Sequence, residues 1–162
     1  MKNKDHASAL DTSPNELALE FYPDFRHRAL TEREQTVPGK PLTNMENLYN
    51  FWAHFLVRNF NFAMYNEFRN LAIKDKALLD WDFGMRNLLK FYDEALLGHR
   101  AILDDNIMSH YLEIVQNEDR NQDRPAFKQM KVAWKNGAFN AMNRHKIVKV
   151  IDSNLKEELD GR

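Results

Sequence analysis

An all-α fold of repeated helical hairpins is what this sequence predicts, and three observations carry the prediction. A ten-residue phrase occurs twice: residues 47–56 read NLYNFWAHFL and residues 87–96 read NLLKFYDEAL, sharing Asn-Leu-x-x-Phe-(Trp/Tyr)-x-x-x-Leu at an interval of 40 residues. The segments behind them echo too, Met64, Phe68, Leu71 and Asp75 being answered 44 residues later by Met108, Leu112, Val115 and Asp119. A looser third copy, QMKVAW from Gln129, puts Trp134 42 residues after Tyr92. Repeats of this length belong to HEAT-like stacked hairpins, in which no unit buries its apolar face alone. About three hairpins and an N-terminal helical lid account for the chain as an all-α solenoid.

The elements follow in order. Residues 1–12 are polar and read as a flexible tail, and residues 13–162 as a single domain. Ser13-Pro14-Asn15-Glu16 is a capping box with proline at the first helical position. Pro23 should interrupt that helix, with a second running to about Glu34. The Val37-Pro-Gly-Lys-Pro41 stretch is a turn.

Thr43-x-x-Glu46 is a second capping box and opens the first hairpin over about 44–60, where Leu48, Phe51, Trp52, Phe55 and Leu56 share one face. Asn61 breaks that pattern, and the partner helix should reach about Ala77. Asp80–Gly84 reads as the linker. The second hairpin pairs about 85–97 with 105–119, Gly98 serving as a C-terminal stop. In the third, Pro125 starts a helix, Gly137 follows its end, and a last helix runs from about Asn143 to the terminus.

Composition narrows the class. Hydrophobic residues make up 43% of the chain and aromatics 12%, enough for a packed core. There is no cysteine, so disulfides and thiolate chemistry are excluded. MKNKDHASAL holds no apolar run of signal-peptide length, and nothing approaches a membrane span, so a cytosolic or nuclear protein is expected, with the cytoplasm preferred.

The charge distribution is more informative than the net charge of −1. Residues 81–119 carry three Lys/Arg against eight Asp/Glu, whereas residues 120–151 carry eight Lys/Arg against Asp123 alone. Arg124, Lys128, Lys131 and Lys135 are spaced 4, 3 and 4, which sets them along one stripe of a helix. Like charges at those spacings repel, so the stripe suggests a polyanion that uses it. Arg144, Lys146 and Lys149 extend the patch. Phosphate contacts of this kind give sequence-independent affinity with strong salt dependence. Tyr92 and Trp134 have two readings, stacking platforms for an unpaired base or core aromatics at the repeated position of Trp52.

No enzyme signature accompanies the patch. The chain has no His-Glu-x-x-His, phosphate-binding glycine loop or Gly-x-Ser-x-Gly. Asp93-Glu94 and Asp104-Asp105 are sequence neighbours, which point apart on a helix and make poor acid–base pairs. His110 and Glu113 share a helix face, but a second such pair for a metal is missing. His54 reads as a partly buried structural histidine. Neither a cofactor nor a catalytic residue is expected.

Tyr22-x-x-Phe-Arg-x-Arg-Ala-Leu-x-Glu-Arg-Glu34, Asn44-Met-x-x-Leu-Tyr-x-Phe-Trp-x-x-Phe-Leu56, Phe60-Asn61 and Met64-Tyr-x-Glu-Phe-x-x-Leu-Ala72 together resemble the DM-fifteen region of the La-related protein 1 family. The match is specific from about Tyr22 to Tyr92 and weaker to about Lys149. The resemblance implies HEAT-like hairpins that bind the 7-methylguanosine cap and first nucleotides of messenger RNAs with terminal oligopyrimidine tracts. In that family two tyrosines sandwich the methylated base; their places here hold Glu94 and, by a looser alignment, Asn136. The acidic residue that reads the guanine edge falls at Leu97, an arginine of the first repeat at Asn50, and the phenylalanine and arginine at the next nucleotide at His54 and Val57. Lys90 stands where the family has arginine and keeps its charge. A cation held between aromatic faces is what cap recognition needs.

The expectation is therefore a diverged, fungal-type member that keeps the scaffold and binds RNA without that sandwich. It would be a non-catalytic module acting at the 5′ region of messenger RNA in translation or stability, with Lys90, Arg124, Lys128, Lys131, Lys135, Arg144, Lys146 and Lys149 on phosphates. The rival is a protein-interaction scaffold, in which the acidic second hairpin and basic third hairpin dock a protein partner or a second copy of the chain.

Overall fold

A computed structural model of the protein describes residues 14–97, 105–139 and 141–161, with side chains described from residue 21 and not at 97. The predicted tail, Ser13 of the first capping box, the Gly98 stop, Asp104 and the Leu97 side chain lie outside that description. The described residues form helices α1 (Pro14–Glu34), α2 (Thr43–Arg58), α3 (Phe62–Leu79), α4 (Phe83–Leu97), α5 (Asp105–Asn117), α6 (Pro125–Lys135), α7 (Ala141–Val150) and α8 (Ser153–Asp160), and no strand. The all-α prediction holds. The chain divides into two compact units, Met1–Leu48 and Tyr49–Arg162, with the boundary inside α2.

In the first unit the predicted break at Pro23 does not occur. Pro23 lies inside the 21-residue helix α1 and is exposed. An internal proline costs a helix about 3 kcal/mol, but on an exposed face water can serve the carbonyl that loses its partner. The Thr43–Glu46 capping box is also replaced. Thr43 is already helical, and the amide of Glu46 donates to the carbonyl of Leu42 at 2.9 Å. The first amides of α2 are capped by Glu32 of α1 instead, whose Oε1 accepts from the amides of Asn44 (3.0 Å) and Met45 (3.2 Å) while Oε2 accepts from Asn44 Nδ2 (2.8 Å). A carboxylate meets both the orphan donors and the positive end of the helix dipole there.

In the second unit the repeated phrase is the core. Trp52, Leu56, Leu88, Phe91, Tyr92 and Leu96 are buried, and so is Trp134 at the third copy of the aromatic position. The aromatic side chains of α2, α3 and α4 pack on one another: Trp52 stacks on Phe68 with centroids 5.5 Å apart, and Phe91 meets Phe68 edge-on at 6.4 Å. α3 packs on α4; α4 lies against α6 and α5 against α7, first helix on first and second on second, as stacked hairpins require.

The elements between them differ from the prediction in two places. The linker shortens to Asp80–Asp82, because α4 starts at Phe83 and takes Gly84 into its first turn. Asp80 (φ 48°) and Asn61, whose side chain accepts from the Met64 amide at 3.0 Å, end and begin α3. The single C-terminal helix is split. Asp152 is in extended conformation and accepts from the Leu155 amide at 2.7 Å, so it stops α7 and caps α8. Pro125 and Gly137 act as predicted, at the first position of α6 and, with φ 62°, just past its end.

Glu118 repeats the Glu32 device at α6, its two oxygens accepting from the amides of Ala126 (2.9 Å) and Phe127 (2.8 Å). Removing a helix cap typically costs about 1–2 kcal/mol. Glu118→Ala is therefore expected to lower stability by about that amount, read as a drop in the urea midpoint at constant m-value; an unchanged midpoint would show that the cap does not hold in solution.

Candidate nucleic-acid interface

α6 sets the basic stripe. Its N-terminus is fixed by Pro125 and the Glu118 cap, its buried side carries Ala126, Met130, Ala133 and Trp134, and the cations occupy other positions. Lys128 and Lys135 are exposed, Lys131 is half-buried, and Arg124 is the residue just before the first turn. What organises them is a residue that charge counting passes over. The ring of Phe127 has the Arg124 guanidinium 3.8 Å from its centroid and the Lys131 ammonium 5.7 Å away. Two cations seven residues apart, about two helical turns, thus both approach the electron-rich ring of Phe127.

The eight nominated cations divide by their partners. Arg124 pairs with Glu158 at 2.9 Å, Lys128 with Asp123, and Lys146 with Asp105 at 3.0 Å. The Lys128 contact also holds the Asp123 carboxyl below its usual range. Arg144 lies over Trp134, its guanidinium carbon 4.1 Å from the ring centroid, and donates to the Trp134 carbonyl at 3.2 Å. Among the described residues Lys90, Lys131, Lys135 and Lys149 form no ion pair. The Lys128–Asp123 pair is exposed on both sides. Such pairs contribute little and exchange readily with another anion, so pairing does not take Lys128 out of play. The Arg124 and Lys146 side chains are more covered, at 15% and 26% exposure.

Lys146 and Lys149 also line a groove of about 280 Å³ with His145, Asp105 of α5 and the apolar Met108, Met142 and Val150. It brings together Lys146 and Lys149, while Arg144, the third cation of α7, lies over Trp134 instead. Neither His145 nor Met142 was signalled by the charge pattern, since neither is a lysine or an arginine.

The two aromatic candidates are core residues. Tyr92 is fully buried, its hydroxyl 2.6 Å from that of Tyr65 and its ring stacked on Tyr111 at 4.9 Å. Burial, then the neighbouring Tyr65, pushes the Tyr92 phenol well above its usual range, and burial pushes Tyr65 up to about 12. Trp134 is 5% exposed, and its indole N–H donates to Asp160 Oδ1 at 2.7 Å. A base would have no open face on Tyr92 and a ring already covered by Arg144 on Trp134. Of the two readings, the core one fits both.

The positions aligned with the family pocket carry polar or aliphatic groups. Asn50 and His54 are exposed on α2, Val57 is half-buried there, and Asn136 is exposed at the end of α6. Glu94 is half-buried on α4 beside Asp93, whose carboxyl is raised first by burial and then by Glu94. The exposed state of His54 replaces the partly buried role expected of it. His110 and Glu113 do not converge either: His110 Nδ1 is 2.9 Å from the Tyr65 hydroxyl and its ring stacks on Tyr65, while Glu113 pairs with Arg69 at 3.1 Å. Among the described residues no three His, Asp or Glu side chains gather as a metal site would need.

Fold and site define a class, a helical-hairpin repeat module presenting a cationic helix and groove. The family model described as the LARP1 HEAT repeat region matches residues 6–161, and the chain belongs to that family. No described helix is long and apolar enough to cross a membrane.

Proposed function

We propose that this chain is a non-catalytic RNA-binding module, acting in the cytoplasm on the 5′ region of messenger RNA to control translation or stability. The observation that carries the proposal is the set of cations that form no ion pair among the described residues, Lys131 and Lys135 on α6 and Lys149 on α7, inside a segment with eight Lys/Arg and one Asp. A single strand of RNA answers such a set through its phosphates, whatever its sequence. Family membership supports the La-related setting. Glu94 and Asn136 at the sandwich positions favour RNA binding that does not depend on the cap, because neither supplies an aromatic face to a methylated base.

Filter binding of capped and uncapped pyrimidine-rich RNA over a salt series tests this. Lys131→Glu with Lys135→Glu should weaken uncapped RNA about tenfold or more near 0.1 M salt, and reduce the salt slope by about 1.4, the share of two single-strand phosphates. Wild-type protein with no RNA affinity at low salt would end the RNA reading and leave a protein-interaction scaffold. A clear preference for capped RNA would overturn the cap-independent part alone.

A further inference from the structure

We infer that Arg120 and Arg124 form an anion site that grips the protein's own Glu158 in the free state and takes an RNA phosphate in its place. The inference rests on the RNA-binding reading and adds a position and a competitor to it.

The geometry is that of an oxyanion held by two guanidinium groups. Arg120 Nη2 is 2.8 Å from Glu158 Oε1 and Arg124 Nη1 is 2.9 Å from Glu158 Oε2, so each arginine takes one oxygen of a single carboxylate. Guanidinium donors match phosphate oxygens as well as carboxylate ones. The site is prepared rather than improvised. The Arg124 side chain is only 15% exposed, braced 3.8 Å from the Phe127 centroid, and its buried Nε makes no hydrogen bond. Arg120 is 68% exposed, so the site opens to solvent on that side.

Charge favours exchange. One carboxylate meets two guanidinium groups, leaving the cluster of three at a net +1 with Glu158 in place. A phosphodiester brings the same single charge with more acceptor positions. Glu158 can also leave without unfolding anything. It sits on α8, which is anchored by the buried Leu155 and Leu159 and capped by Asp152, and its own side chain is joined to that helix by rotatable bonds. Glu158 therefore acts as a built-in competitor that lowers RNA affinity until a strand displaces it. Arg120, in the turn before α6, and Glu158, thirty-eight residues on, carry no signal in the charge stripe because only the fold brings them together.

The test is Glu158→Gln against Glu157→Gln. Glu157 is exposed on the same helix and makes no ion pair among the described residues, so the two variants change net charge alike. Glu158→Gln should raise affinity for uncapped pyrimidine-rich RNA about three- to tenfold near 0.1 M salt and leave the salt slope nearly unchanged, because the same phosphates are neutralised in both complexes. Glu157→Gln should stay within about twofold of wild type, as expected for a general charge effect. Adding Arg120→Gln to Glu158→Gln should cancel the gain; thermal melts confirm that all variants fold. Wild-type protein that binds RNA while Glu158→Gln behaves as Glu157→Gln, or binds more weakly, overturns this site and leaves the general reading standing. Protein that binds no RNA in any variant overturns that reading first.

Discussion

Trp52→Ala removes about 3–5 kcal/mol of stability, the range for truncating a fully buried large aromatic. That is from about a fifth to the whole of what a domain of ordinary stability, about 5–15 kcal/mol, possesses. The reason lies in what the indole touches. Trp52 has no exposed surface, stacks on Phe68 with centroids 5.5 Å apart, and meets the Tyr49 ring edge-on at 6.0 Å. Phe68 in turn contacts Phe91 of α4, so the cavity opens where three helices meet and cannot close by moving one of them. Urea unfolding of the variant should show a midpoint lower by about 2 M, taking an m-value of about 2 kcal/mol/M. Trp52→Phe, which keeps a ring on Phe68, should recover most of the loss. A Trp52→Ala loss under about 1 kcal/mol would mean that the first repeated phrase is not the core it looks like.

What the sequence made legible is the part that depends on spacing. Leu48, Trp52 and Leu56, and Leu88, Tyr92 and Leu96, are buried because a 3.6-residue period dictates their common face whatever the neighbours are. The echo between Asp75 and Asp119 fails, since this depends on a third element. Asp75 is buried and accepts from the Tyr49 hydroxyl at 2.5 Å, whereas Asp119 is exposed and closes a turn by accepting from the Asn121 amide. Helix caps divide in the same way. Asn61 and Asp152 act within three residues and can be read locally; Glu32 and Glu118 reach 8 to 13 residues forward to another helix and cannot.

The candidate site follows the same division. A count of Lys and Arg finds where the positive charge lies in the chain. It cannot find which cations are tied up, because Glu158 and Asp105 lie outside the basic segment. Nor can it find that Phe127 and Trp134 hold Arg124 and Arg144 by their ring faces. Aromatic rings among cations suggest stacking on bases when read as a list. In the folded chain the rings order the cations, and ordered guanidinium groups lose less freedom when they meet a phosphate.

Gly84→Ala should destabilise the protein, against the sign that helix propensity gives. Alanine is better than glycine inside a helix by about 1 kcal/mol, and Gly84 is the second residue of α4. A Cβ there, however, would lie 2.5, 2.7 and 2.9 Å from Cζ, Cε1 and Cε2 of Tyr49. Carbon atoms settle about 3.5–4.0 Å apart, so the ring or the helix must shift. The ring is poorly placed to do so. Tyr49 is fully buried, its hydroxyl is held by the equally buried Asp75, and its face meets Phe68, Trp81 and Phe83 with centroids 5.8 to 6.5 Å away. Overpacking of this kind costs about 1–3 kcal/mol, more than the propensity gain, and the shift would loosen the Tyr49–Asp75 bond as well. The urea midpoint of Gly84→Ala should fall, and Tyr49→Leu, whose smaller side chain vacates the space, should reduce or reverse the penalty in the double variant. If Gly84→Ala alone raises the midpoint, Tyr49 is free to yield, and the close approach of α4 to α2 is not what fixes the first hairpin against the second.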